Sequence, residues 1–141
     1  MSPGESTPTR PFPAVTNEEY RQHFLGLEQN QLWVRKCLSC GTLQWPPRPV
    51  CGACFGGRFE PRQVAKEGIV YSFIVCHRAF DPWFSRQIPF GVVIAEIEPG
   101  VRIVGNTFGS DVERLSCDRP VDARFRRPDD DVRIALEWVP R

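Results

Sequence analysis

This sequence has no apolar stretch approaching the roughly 20 residues that a membrane-spanning helix requires. Its opening residues, MSPGESTPTRPFP, also lack the apolar region of a secretory signal peptide. These two absences predict a protein of the reducing cytoplasm that does not associate with a membrane. In such a compartment, closely spaced cysteines are more often metal ligands than disulfides.

An excess of charge of one sign is also missing. The chain of 141 residues has 18 basic and 17 acidic residues, which leaves a net charge of +1. A broadly basic surface for nucleic acid is therefore not expected, although a local basic patch is compatible with this balance.

Recognisable catalytic sets are absent as well. The sequence shows no paired carboxylates, no phosphate-binding glycine loop and no Ser/His/Asp combination. Cys76 and His77 are adjacent, but neighbours on a strand point to opposite faces, so that thiol and imidazole would not meet. Cys117 lies in a polar stretch and is interpreted as an incidental free thiol. We predict no catalytic residue, and an enzyme that acts alone through Cys76 or Cys117 is the weakest functional hypothesis.

What the sequence does contain predicts a mostly β protein. The Pro-, Ser- and Thr-rich start is typical of disorder, and Thr16 and Glu19 then have the spacing of a helix capping box. Beyond residue 67, apolar residues recur with period two, which predicts five short antiparallel strands in a small, partly open barrel such as an OB-fold. The predicted segments are a disordered tail at 1–15, an N-terminal helix at 16–30, a rubredoxin-like zinc ribbon at 31–66 and the barrel at 67–141.

Four cysteines lie in two C-x-x-C pairs within the stretch CLSCGTLQWPPRPVCGAC. They are Cys37, Cys40, Cys51 and Cys54. Each pair turns tightly enough to direct both sulfurs to one point, and two pairs complete a tetrahedron around zinc. Four thiolates leave no coordination position for water or substrate, so the predicted zinc is structural. Rubredoxin-like iron uses the same ligands and stays an alternative, whereas disulfides or redox chemistry are less favoured because no βαβ pattern surrounds the pairs.

The order of these motifs resembles a known family. A helix precedes the cysteines, the link WPPRP at residues 45–49 joins the two pairs, and the barrel pattern begins with GIVYSF at residues 68–73. Over roughly residues 17–140, this arrangement resembles the rubredoxin-like zinc-ribbon plus OB-fold proteins that are associated with acyl-CoA and were long catalogued as a domain of unknown function.

The resemblance implies a function in lipid metabolism. Members of the family accompany thiolase-fold enzymes, and some are partners of thiolase-like aldolases that shorten steroid side chains as CoA thioesters. We therefore expect a non-catalytic, zinc-containing accessory subunit of such a lyase complex. It would form a hetero-oligomer with the aldolase, stabilise it for retro-aldol cleavage of a carbon–carbon bond, and help to form the acyl-CoA channel at the shared interface. The alternatives are an accessory subunit of an acyl-transferring thiolase complex and a nucleic-acid-binding ribbon and OB module.

Between the first two predicted barrel strands, the stretch RAFDPWFSRQIPF holds too many large apolar side chains for a solvated turn. Two interpretations stay open: the aromatic residues fold back as a lid on the barrel, or they anchor a partner with arginines nearby, as at interface hot spots. The candidate contact residues for a partner or for acyl-CoA are Phe80, Trp83, Phe84, Arg78 and Arg86, together with Arg124 and Arg126 of the last hairpin.

The last two predicted strands, 121–126 and 132–139, each have one apolar and one charged face. The charged face carries Arg124, Arg126, Arg133 and Glu137. These arginines suit the phosphates of CoA or of a nucleic acid. Because acidic residues are interspersed among them, a solvated face of mixed charge is the favoured interpretation.

Overall fold

The computed structural model describes residue 4 and residues 6–13, 17–127 and 133–141. Thr16 of the predicted capping box lies outside the described residues. Asn17 caps the N-terminal helical segment, because its side chain accepts a hydrogen bond of 3.1 Å from the Glu19 N–H.

Strands dominate the described residues, as predicted. The helical segments are a 3-10 turn at Glu18–Tyr20, α1 at Arg21–Glu28, α2 at Pro82–Ser85 and a second 3-10 turn at Gly109–Arg114. The strands are β1 at Leu32–Cys37, β2 at Leu43–Gln44, β3 at Phe59–Val64, β4 at Glu67–Cys76, β5 at Phe90–Glu98, β6 at Val101–Thr107, β7 at Pro120–Arg126 and β8 at Ala135–Pro140. Within this described part of the chain, no helix has the length and apolar character of a membrane span.

Strands β1, β2 and β3 form the ribbon, an antiparallel sheet of order β2-β1-β3. At one end Leu32 pairs with Val64, and both side chains are buried in the main core. At the other end Cys37 pairs with Phe59, next to the exposed turns that carry the remaining cysteines. The ribbon therefore has one end in the core and the other at the cysteine cluster.

Strands β4 to β8 form the predicted five-stranded barrel, with the order β4-β5-β6-β8-β7 and with β7 pairing back to β4. The expectation of a partly open, fully antiparallel barrel is wrong, because the barrel is closed and β6 runs parallel to β8 where Asn106 pairs with Glu137. The path of the chain explains this arrangement. After β6 the chain crosses to β4, where Val121 of β7 pairs with Gly68, and β8 then returns between β7 and β6.

One apolar core fills the barrel and continues into the ribbon. Trp138 is fully buried at its centre, and its indole N–H donates a hydrogen bond of 3.1 Å to the Ile103 carbonyl oxygen. Gly105 makes room for the indole, since a Cβ at that position would lie 2.7 Å from Trp138 Cδ1. The other buried members include Val70, Val93, Ala95, Val101, Val121 and Leu136 of the barrel, and Leu27, Leu32, Val34 and Val64 of α1 and the ribbon.

Candidate functional site

The four predicted metal ligands lie together at the outer end of the ribbon. Their Sγ atoms are all within 4.8 Å of one another. Cys37 Sγ lies 3.6 Å from Cys54 Sγ, and Cys40 Sγ lies 3.7 Å from Cys51 Sγ. A tetrahedron with metal–sulfur bonds of about 2.3 Å has sulfur–sulfur edges of about 3.8 Å. The donor set therefore fits one tetrahedral metal ion.

Local backbone geometry explains why each C-x-x-C pair forms a knuckle. The N–H of Gly41 donates to the Cys37 carbonyl oxygen, and the N–H of Phe55 donates in the same way to Cys51, each at 2.9 Å. Both Gly41 and Phe55 follow the second cysteine of a pair and have positive φ angles of 77° and 63°. Glycine adopts this left-handed conformation without strain, whereas a phenylalanine there is uncommon. The two C-x-x-C segments therefore have the same turn conformation.

Three of the cysteine sulfurs have hydrogen-bonding groups close to them. The N–H of Ala53 lies 3.4 Å from Cys51 Sγ, and the N–H of Gly56 lies 3.4 Å from Cys54 Sγ. The Thr42 hydroxyl, 3.1 Å from Cys40 Sγ, lowers the pKa of that thiol to about 6, because a hydroxyl can donate to the thiolate. Metal ions bind the thiolate form, so the Thr42 contact favours coordination by Cys40.

The aromatic loop, defined here as residues 77–89, contains both partly buried and exposed rings. Asp81 begins α2 by accepting hydrogen bonds from the N–H groups of Trp83 and Phe84 at 2.8 and 3.1 Å. The rings of Trp83, Phe84, Phe90 and Phe108 pack together, and the centroids of contacting pairs are 4.9 to 6.4 Å apart. We call these four residues the aromatic cluster, and it covers one end of the barrel as the lid interpretation expected.

Phe80 of the same loop points away from the aromatic cluster. Its side chain is 92% exposed, and Ile88 is 42% exposed. The Arg78 guanidinium lies 5.6 Å from the Phe80 ring centroid, and Arg86 is exposed at the end of α2. The loop therefore has a packed half and a solvent-facing half, and the second half exposes the larger apolar surface.

The N-terminal arm, defined here as residues 6–13, contacts the aromatic cluster. Arg10 is only 7% exposed, and its guanidinium donates a hydrogen bond of 3.0 Å to Asn106 Oδ1. The same guanidinium carbon lies 5.0 Å from the Trp83 ring, 5.3 Å from that of Phe108 and 5.7 Å from that of Phe84. Within the segment that we predicted to be a disordered tail, Arg10 is thus packed on the barrel.

The charged face expected on the last hairpin is partly buried. Glu137 is fully buried, with Arg124 at 3.3 Å and Arg126 at 3.2 Å from its carboxylate oxygens. The interpretation of this residue as part of a solvated face is therefore wrong. The physical reason is that Arg124 and Arg126 of β7 pair with the carboxylate, and that the charge of Arg10 in the N-terminal arm also acts on it, while the two β7 arginines remain half exposed.

A cavity of about 320 Å³ separates the N-terminal arm and α1 from the barrel. His23 lines it, is nine-tenths buried and has an Nδ1 atom without a hydrogen-bond partner among the described residues. Burial lowers the pKa of His23 to about 4, so the ring is neutral at physiological pH. Its ring centroid lies 4.3 Å from that of Trp45 in the ribbon.

Cys76 and His77 are placed as expected from the strand pattern. Cys76 ends β4 and is half-buried, while His77 is exposed at the start of the aromatic loop. Cys117 is exposed. Sequence reasoning missed Arg10, Asn106 and the burial of Glu137. The signal available for Arg10 was the short motif RPFP, which places an aromatic residue between two prolines in an otherwise polar segment.

Two family descriptions match this chain. "ChsH2, rubredoxin-like zinc ribbon domain" matches residues 26–60, and "ChsH2, C-terminal OB-fold domain" matches residues 61–126. Among solved structures, a chain described as "Ltp2-ChsH2(DUF35) aldolase" matches with a TM-score of 0.78 and 27% identity, over 91% of this chain and 98% of that one.

Among curated relatives, one is matched over most of its length and two are matched over about a third of their length. A "DUF35 domain-containing scaffold protein" of Methanocaldococcus jannaschii is 34% identical over 97 residues, which cover 68% of each protein. A "Probable enoyl-CoA hydratase alpha subunit" of Thermomonospora curvata is 33% identical over 79% of this chain and 34% of that protein. A "3-oxo-4,17-pregnadiene-20-carboxyl-CoA hydratase alpha subunit" of Mycobacterium tuberculosis is 30% identical over 71% and 31%. The chain therefore spans about a third of the two hydratase subunits.

Proposed function

The chain belongs to the ChsH2 (DUF35) family of zinc-ribbon and OB-fold proteins, and from this premise we propose that it is a non-catalytic accessory subunit of a thiolase-like aldolase. The partner would carry out retro-aldol cleavage of an acyl-CoA, with a steroid side chain as the favoured acyl group. The observation that carries the proposal is the match, over nearly its whole length, to the solved chain described as an Ltp2-ChsH2(DUF35) aldolase.

The chemistry of the described residues supports a role without catalysis. The cysteine cluster supplies four thiolates, and a metal bound by four thiolates has no open position for water or substrate. We propose that this metal is zinc, which these ligands hold in a tetrahedral site, and that it maintains the outer end of the ribbon. Rubredoxin-like iron is the alternative with the same ligands.

The solvent-facing half of the aromatic loop is the proposed docking surface. Phe80, with Arg78 beside its ring, has the composition of an interface anchor. Trp83 and Phe84 of α2 attach the loop to the barrel through the aromatic cluster, and Arg86 lies at the end of α2. Arg124 and Arg126 are engaged by Glu137, so we propose that their half-exposed guanidinium groups contact CoA phosphates only at the rim of the interface.

Reconstitution tests this proposal. The full-length protein is mixed with thiolase-fold proteins encoded near it. The mixtures are incubated at neutral pH with steroid-type and short acyl-CoA substrates. We expect a complex in which retro-aldol products form faster than with the thiolase-fold protein alone. Turnover of any acyl-CoA by this chain unaided would contradict the proposal.

The product identifies the class of partner. Retro-aldol cleavage yields a carbonyl compound and a shortened acyl-CoA, whereas an acyl-transferring thiolase yields a new thioester or carbon–carbon bond. The similarity to two hydratase alpha subunits favours hydratase as a second candidate partner activity, so hydration of an enoyl-CoA is measured in the same mixtures. Complex formation with hydration and no cleavage would replace the aldolase assignment.

A further inference from the structure

We propose that the N-terminal arm is a clasp, and that Arg10 holds the aromatic loop in the shape that docks the partner. The first part of this inference, that Arg10 holds the loop, rests on the contacts of Arg10 alone. The second part, that the held loop docks the partner, rests on the function proposed above and is called the docking half.

Arg10 adds a polar connection between two parts of the barrel end that otherwise meet through the rings of the aromatic cluster. Its guanidinium faces Trp83 and Phe84, which belong to the aromatic loop, and it donates to Asn106, which belongs to β6. Asn106 in turn donates from Nδ2 to the Gly91 carbonyl oxygen at 3.1 Å, at the start of β5. One side chain of the arm thus ties the loop to the strands on which it is mounted.

Phe12 gives the arm a second attachment. The Arg133 guanidinium carbon lies 4.5 Å from the Phe12 ring centroid, at the start of the segment that leads into β8. The arm therefore extends from the aromatic loop to the connection between β7 and β8. In OB-folds these two connections border the surface that binds ligands. Here that position is covered by the chain's own arm.

The surroundings of Arg10 suit a buried guanidinium. Burial lowers its pKa, and the negative charge of Glu137 partly compensates by raising it. Aromatic faces attract a cation, and the attraction strengthens when the cation is removed from water. A planar guanidinium stacks on rings and donates in a fixed fork, which the ammonium of a lysine does not do. The site is therefore specific for arginine over lysine.

The aromatic loop needs such external support. Helix α2 has four residues, and a helix of that length is not stable by itself. Two hydrogen bonds fix its turn, from the Ser85 N–H to the Asp81 carbonyl oxygen and from the Gln87 N–H to the Phe84 carbonyl oxygen, each 2.9 Å. They keep the exposed half of the loop in a fixed position on the packed half. Removal of the Arg10 guanidinium leaves three rings of the aromatic cluster without their cation and Asn106 Oδ1 without its donor, so the hydrogen bonds of α2 should open more often.

The first experiment uses the full-length protein without a partner. Hydrogen exchange at residues 83–88 and trypsin cleavage after Arg86 are compared among wild type, Arg10→Ala, Arg10→Lys and the control Arg21→Ala, whose side chain is exposed and pairs with Glu18. We expect at least tenfold faster loop exchange and cleavage in Arg10→Ala, an intermediate increase in Arg10→Lys, and wild-type rates in the control. Exchange in β5 serves as the internal reference for an intact barrel.

Unchanged loop rates in Arg10→Ala would overturn the clasp, and so would an equal increase in loop and barrel exchange in both Arg10 variants, because the contact would then be a general stability element. The second experiment measures the affinity of each variant for the thiolase-fold partner, with an expected loss of about tenfold in Arg10→Ala. Equal affinities of wild type and Arg10→Ala would refute the docking half. If no thiolase-fold protein binds wild type while the loop still opens in Arg10→Ala, the proposed function fails and the clasp stands.

Discussion

The ribbon and the barrel are both built from short strands, but different interactions hold them together. The barrel closes on itself around Trp138, and its core residues are almost completely excluded from water. The ribbon has three strands, one of them only two residues long, and its outer end leaves Leu38, Val50 and Phe55 between 50% and 79% exposed. Apolar burial is thus available to the barrel, whereas the outer ribbon depends on its four sulfurs.

Because of this difference, loss of the metal and loss of barrel packing should unfold different parts of the molecule. The inner end of the ribbon shares the barrel's core through Leu32, Val34 and Val64. Loss of the metal should therefore open the outer ribbon and stop where these side chains begin. Loss of barrel packing should instead unfold both regions, because their core is continuous.

Metal removal is the change with the largest expected effect. Structural zinc contributes an apparent binding free energy of about 10–16 kcal/mol in small zinc domains, and that energy is coupled to their folding. We expect chelation, or the substitution Cys37→Ser, to abolish hydrogen-exchange protection in residues 37–59 while β5 and β6 remain protected. Exchange measured by mass spectrometry, with metal content by elemental analysis, checks this.

The matched control for the metal is Cys117→Ser, which alters an exposed thiol outside the cluster. It should leave metal content and protection as in wild type. A metal-free protein with a fully protected ribbon would show that apolar packing holds both regions, and the contrast drawn above would disappear. Elemental analysis of the purified protein also decides between zinc and iron.

The next largest effect is expected from the centre of the barrel. Trp138→Ala removes the largest fully buried side chain and the hydrogen bond to Ile103. Deletions of this kind cost about 3–5 kcal/mol because a cavity remains. The free energy of unfolding, from denaturant titration of the metal-loaded protein, should fall by that amount. In Val104→Ala, where the side chain is 56% exposed, it should change by less than about 0.5 kcal/mol.

In the same titration, the unfolding of the ribbon and the unfolding of the barrel can be followed separately. In Trp138→Ala the ribbon and barrel should unfold together, since Leu32 and Val64 lose the surface against which they pack. A ribbon that stays folded after the barrel has unfolded would show two independent cores.

His23 lies where the two regions meet and gives the third effect. It contacts Trp45 of the ribbon and lines the cavity beside β6 and β8. Burial lowers its pKa from 6.5 to about 4, so the unfolded chain binds a proton in that interval while the folded chain does not. Stability is therefore fully present above pH 6.5 and falls as the pH decreases toward 4, by about 3 kcal/mol at about 1.36 kcal/mol per unit of pKa.

The substitution His23→Leu should remove this part of the pH dependence. The cysteine ligands also take up protons at low pH, so the informative quantity is the difference between the unfolding free energies of wild type and variant at each pH. That difference should change by about 3 kcal/mol between pH 7 and pH 4, with wild type losing more. A constant difference over this range would mean that His23 takes up its proton equally in the folded and the unfolded protein, so that burial does not lower its pKa.

Local patterns in the sequence were sufficient for the ribbon and for most of the barrel. Two C-x-x-C pairs specify a cluster because four thiols at that spacing have few other uses, and period-two alternation locates strands such as β5 and β6. The burial of Glu137 was not accessible in this way. It depends on Arg124 and Arg126 of β7 and on Arg10 of the N-terminal arm, which only the folded chain brings to Glu137. The packing of Arg10 on the aromatic cluster, which lies 73 or more residues away, is likewise tertiary.

The smallest effect on stability, and the sharpest test of the comparison, is expected from two exposed phenylalanines. Phe55 in the ribbon is 79% exposed, and Phe80 in the aromatic loop is 92% exposed, so Phe55→Ala and Phe80→Ala should each change the free energy of unfolding by less than about 0.5 kcal/mol. Their effects on partner binding should differ. Phe80 lies in the loop that the aromatic cluster attaches to the barrel and is flanked by Arg78, so its loss should weaken binding by about 2 kcal/mol, which is the scale of an interface anchor. Phe55 lies in the metal-held tip without such support, and its loss should leave affinity unchanged. Calorimetry on the reconstituted complex measures both, and a larger loss for Phe55→Ala would transfer the docking surface from the barrel to the ribbon.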